Sequence, residues 1–93
     1  MSKQYNFTIH ACEAERGSNG MVMFMPMSTV YRETFQGTVD ELSNRIQSIK
    51  SELSNRQFEA GKGFSISPIL AGGQRKPAGY DKKRHQISTN YIA

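Results

Sequence analysis

The chain reads as an α+β protein: a single amphipathic helix packed on a four- to five-stranded, mostly antiparallel sheet in the order β-β-(β)-α-β-β. Three observations predict it. Gln4 to Ala11 alternates apolar and polar residues; Val39, Leu42, Ile46, Ile49 and Leu53 recur at spacings of three and four; and glycine- and proline-bearing turns separate these segments from further short apolar runs.

The elements follow in order. Tyr5, Phe7, Ile9 and Ala11 face one way and Asn6, Thr8, His10 and Cys12 the other, the period of a half-buried strand. Glu13 to Gly20 is charged and ends in Gly17-Ser18-Asn19-Gly20, which turns the chain back as a hairpin. Met21 to Met25 is the returning strand, and Pro26 ends it or marks an edge. Thr29 to Phe35 alternates again, with Tyr31 and Phe35 opposite Val30. It is a third strand, or the second continued past a bulge at Pro26; the third strand is preferred.

Thr38 to about Arg56 is a helix opened by a Thr38–Glu41 capping box, with Glu41–Arg45 and Glu52–Arg56 spaced as i,i+4 ion pairs on its wet side. Gly63 to Leu70 is a strand with Phe64, Ile66 and Leu70 inward, and Pro68 makes its far end an edge. Ala71 to His85 is a long loop, whose glycines and Pro77 argue against regular structure, and Gln86 to Ile92 is a last strand carrying Ile87 and Tyr91.

Ninety-three residues, 37% of them hydrophobic, make one domain, 1–93, with one core. The longest apolar run, Met21 to Met27, is far too short to span a membrane. The opening Met1-Ser2-Lys3-Gln4 carries no apolar leader, and the lone Cys12 has no internal disulfide partner. A cytoplasmic, reduced protein is expected. The charge is segregated. Ala71 to His85 holds Arg75, Lys76, Lys82, Lys83 and Arg84 against Asp81 alone, and so carries the whole net charge of +4 on a neutral body. Such a loop either solubilises the protein or grips phosphate or an acidic surface; segregation favours the grip.

Several residue sets invite a chemical reading. His10 and Cys12 lie two apart on an outward strand face, roughly 6.5–7 Å between Cα atoms, which is no nucleophile–base arrangement. Met21, Met23, Met25 and Met27 could hold Cu(I), but thioethers more commonly fill adaptable surfaces. Val22 and Phe24 make the opposite face apolar too. One helix covers one face only, so Met21, Met23 and Met25 are a candidate apolar interface, covered by a loop, a second copy in a homodimer, or a target. Gly72-Gly73-Gln74 matches the tripeptide of peptide-release factors, though its neighbours do not, and reads as a flexible loop stem. Arg75, Lys76, Tyr80, Lys82, Lys83, Arg84 and His85 form the candidate partner- or RNA-binding set. Small RNA endonuclease toxins use similar sets for catalysis, which needs a rigid convergent site. On a glycine-rich loop, binding is preferred, with no catalytic residues, metal site or cofactor expected.

Taken whole, from the opening Met1-Ser2-Lys3-Gln4-Tyr5-Asn6-Phe7 through the strand–strand–helix–strand order to its size without a catalytic motif, the chain resembles phage-encoded anti-CRISPR proteins that inhibit type I-F CRISPR surveillance complexes. The resemblance spans residues 1–93 and implies a binding protein acting on Cas subunits and their guide RNA, in the cytoplasm of a host bacterium. These inhibitors share no signature, so it assigns no residue a role. Many of them are acidic and imitate DNA; this chain is basic, which excludes phosphate mimicry. It implies occlusion instead, with the cationic loop against guide RNA or acidic protein, obstructing target DNA hybridisation. A small RNA-binding module and an RNA endonuclease toxin are the alternatives.

Overall fold

The structure, a computed structural model, describes residues 4–93, so the first three residues of the opening heptapeptide lie outside it. Four antiparallel strands form one sheet in the order β2-β1-β3-β4, built from β1 (Tyr5–Arg16), β2 (Val22–Gly37), β3 (Lys62–Leu70) and β4 (Thr89–Ile92). The main helix, α1 (Val39–Ser54), covers one face, and a second, shorter helix, α2 (Tyr80–Ile87), lies between β3 and β4 in the chain. The predicted α+β class and its single main helix are what is found. No helix is long and apolar enough to cross a membrane among the described residues.

The capping box forms as its residue types require. The Glu41 amide donates to Thr38 Oγ1 at 3.2 Å, and the Thr38 amide donates to Glu41 Oε1 at 2.9 Å. From there Leu42, Ile46, Ile49 and Leu53 stay buried against Phe7, Ile9, Ala11, Phe64 and Ile66 of the sheet. Phe64 also stacks on Tyr91 of β4, ring centroids 5.5 Å apart. Gly63 permits this closeness, because a Cβ there would stand 1.8 Å from the Tyr91 carbonyl oxygen.

The structure departs from the sequence reading in four places. First, Thr29 to Phe35 is not a separate strand: β2 runs through, and its register against β1 jumps between Ala11 and Cys12 and again between Cys12 and Glu13. Cys12 pairs with Thr29 and Glu13 with Met25, so Pro26-Met27-Ser28 loop out of the ladder. The jump at Val30 lets two successive residues, Val30 and Tyr31, pack against the core, as simple alternation would forbid.

Second, the predicted loop is half helix. Tyr80 to Ile87 forms α2, and the last strand shortens to Thr89–Ile92. Asp81 in its first turn and Arg84 and His85 in its last complement the helix dipole, and Tyr80 and Ile87, two turns apart, are both buried. β4 pairs only with Gly63 to Ile66, so β3 is an edge at Pro68, as expected, and the chain there borders α2.

Third, the stem is tied down. The Gln74 side chain accepts the Asn6 amide at 2.8 Å and donates to the Asn6 and Ala71 carbonyls at 2.8 and 3.0 Å, extending the β1–β3 ladder with a side-chain amide.

Fourth, Arg45 does not pair with Glu41. Its guanidinium donates twice to the Glu33 carboxylate, both at 2.7 Å, while the Tyr31 hydroxyl donates to the same carboxylate. Nor do Glu52 and Arg56 pair among the described residues. The forked Arg45–Glu33 contact clamps α1 to β2. Arg45→Ala is therefore expected to cost about 1–2 kcal/mol rather than a few tenths. The Arg45 guanidinium holds the Glu33 carboxyl below its ordinary value near 4.5. A carboxyl depressed in the folded state contributes stability above its unfolded pKa and loses it as pH falls through the folded one. Denaturant midpoints of wild type and Glu33→Gln should accordingly differ at neutral pH and converge well below pH 4.5. An unchanged gap at both values would show that the clamp contributes nothing through its charge.

Candidate partner-binding surface

The predicted basic set splits in three. Tyr80 belongs to the interior: it is 4% exposed, its ring lies 5.9 Å from that of Phe7, and its hydroxyl has no hydrogen-bond partner among the described residues. Burial raises its pKa. It is not available for stacking on a base, and that assignment is corrected. Lys76 and Lys83 are turned inward electrostatically: Lys76 Nζ lies 3.1 Å from Asp81, and Lys83 Nζ 3.8 Å from Asp40 at the start of α1. Arg75, Lys82 and Arg84 have no carboxylate partner among the described residues and are exposed, as is His85. Arg75 and Lys76 line a shallow groove with Tyr5 and Gln74; Arg84 and Lys76 border Ile69 and Pro68. The cations thus sit on a segment held by Gln74, Tyr80 and Ile87.

The methionines lie at the far end of the hairpin. Met21 is 66% and Met23 52% exposed, while Met25 is half-buried beside Val30 and Phe58. Met23 opposes Glu15, and Phe24 opposes Ala14, so the two lie on opposite faces, as the alternation predicts. Nothing on this tip specifies what would cover it. Away from this tip the second face is polar, as the alternation of Asn6, Thr8, His10 and Cys12 predicts. Directly opposed residues of an antiparallel pair point the same way, so the pairs Thr8–Thr34, His10–Arg32, Cys12–Thr29 and Cys12–Ser65 put a polar surface opposite α1.

On that face His10 Nε2 lies 2.9 Å from the Thr29 hydroxyl, and Cys12 is buried between strands. The imidazole is occupied by a hydroxyl and the thiol is shielded. No group of three or more His, Cys, Asp or Glu side chains is placed to hold a metal among the described residues.

Sheet and helices define a four-stranded antiparallel α+β domain with a cationic end and an uncovered polar face. No protein-family model, curated protein or solved structure matches the chain.

Proposed function

We propose that this chain is an inhibitor that binds a type I-F CRISPR surveillance complex, Cas subunits with their guide RNA, and obstructs target DNA hybridisation. The observation that carries the reading is a set of free cations on one anchored segment: Arg75, Lys82 and Arg84, unpaired among the described residues, on the stretch held by Gln74, Tyr80 and Ile87. A preordered cationic end meets phosphates or an acidic protein surface at low ordering cost. The resemblance to type I-F inhibitors supplies the partner, and the net charge of +4 argues for occlusion over DNA mimicry. The site of action is then the host bacterial cytoplasm. Toxin chemistry is disfavoured because Tyr80, one of the proton-transfer candidates, is shut inside the core.

The test is capture from a lysate that contains assembled type I-F complexes. The tagged protein should retain the complex and leave growth unaffected when expressed alone. Cys12→Ser should inhibit within a few-fold of wild type. Growth arrest without any CRISPR complex, or a hundredfold loss in Cys12→Ser with the fold intact, would contradict the reading.

A further inference from the structure

The uncovered sheet face has a charge pattern that the inhibitor reading does not use. It carries Arg16 and Arg32, with His10 directly opposite Arg32, and none of the eight acidic residues lies on it. Glu13, Glu15 and Glu33 are on strands but share the helix side with Phe64, Lys62 and Ile9; the other five lie on α1, α2 or the turn before β3. Arg32 is exposed, the Arg16 guanidinium donates to the Gly20 carbonyl at 3.2 Å, and neither has a carboxylate partner among the described residues. The same face carries the side chains of Thr8, Thr34, Ser65 and Ser67, and Phe24 stands 50% exposed on it.

We propose that this face is a binding site for single-stranded RNA. A cationic surface free of carboxylates complements a phosphate backbone and repels no part of it. Phe24 offers one apolar ring where an unpaired base can stack, which a base inside a duplex cannot do. The hydroxyls of Thr8, Thr34, Ser65 and Ser67 can both donate and accept, which suits the ribose 2′-hydroxyl and sets RNA above DNA. From Thr8 to Arg16 the strand spans roughly 26 Å, enough for about four nucleotides in an extended strand. At the other rim Ile69 borders Arg84 of α2, in a groove whose one carboxylate, Asp81, is paired with Lys76. This site goes beyond the inhibitor reading: it requires no Cas subunit and stands or falls without one.

The experiment measures binding of the purified chain to a fluorescent oligo(U) of roughly 12 nucleotides at about 50 mM and about 200 mM salt. The substitutions are at exposed positions, and melting temperatures close to wild type establish that the fold persists. Wild type should bind with a steep salt dependence. Arg16→Glu with Arg32→Glu should weaken binding by about tenfold or more, and Phe24→Ala by about threefold or more. Oligo(dT) should bind more weakly than oligo(U). No binding of wild type at low salt, a sheet-face double variant within about twofold of wild type, or tighter binding of oligo(dT) would each overturn the assignment. Complex capture by wild type would be untouched by that outcome, so the two readings fail separately.

Discussion

Ile46→Asp is expected to leave no folded domain. Ile46 is fully buried at the centre of the α1 stripe, between Leu42 and Ile49, where the helix meets Phe7, Ile9 and Ile66. An aspartate there is held among apolar side chains, and its desolvation costs several kcal/mol on top of the lost apolar burial. A domain of this size has about 5–15 kcal/mol to lose, and among the described residues no second layer covers the other side of the sheet to compensate. Far-UV circular dichroism and a denaturant titration should show an unfolded chain under conditions where wild type is folded. Gln47→Asp, one residue on and exposed, should change stability by about 0.5 kcal/mol or less. Equal melting of the two variants would mean that α1 presents a different face to the sheet.

The sequence makes α1 legible because two independent signals coincide there: a capping box that fixes its start and one uninterrupted apolar stripe that fixes its face. The hairpin is legible for the same reason, since alternation in Tyr5 to Ala11 matches real burial at Phe7, Ile9 and Ala11. The course of β2 was not, because looping out Pro26-Met27-Ser28 resets the alternation, and a reset looks like a strand boundary. α2 was hidden by its shortness. Only Tyr80 and Ile87 among its eight residues are apolar, and a run of cations between them reads as solvated loop. The seven-residue spacing of that pair was the available signal. Tyr80 was misassigned with it, since a tyrosine among cations resembles a stacking platform until a helix turns it inward. Gln74 left no pattern at all, because its amide imitates a backbone pairing that periodicity does not record. The polar face was readable in the alternation of Thr8, His10 and Cys12, which the pairing with Thr34, Arg32 and Thr29 extends across β2.

Reversing the free cations, Arg75→Glu with Lys82→Glu and Arg84→Glu, should weaken partner binding by more than about tenfold while the domain stays folded. These three side chains are exposed and make no ion pair among the described residues, so reversal removes no native contact. The cost to the fold is a less favourable last turn of α2 at Arg84, on the order of a few tenths of a kcal/mol, and the buried Tyr80 and Ile87 still anchor the helix. Lys83→Glu alone is the contrasting case. It replaces a loose 3.8 Å contact with Asp40 by repulsion, and should disturb binding less than the triple reversal.

The measurement that bears most directly on the proposed function is the affinity of the purified chain for an assembled type I-F surveillance complex at two salt concentrations, for wild type and the triple reversal. Wild type should bind tightly and weaken steeply as salt rises; the variant should bind more than about tenfold more weakly, with a shallower salt dependence. Affinities and salt slopes that are the same for both proteins, or no binding of wild type to the complex, would contradict it.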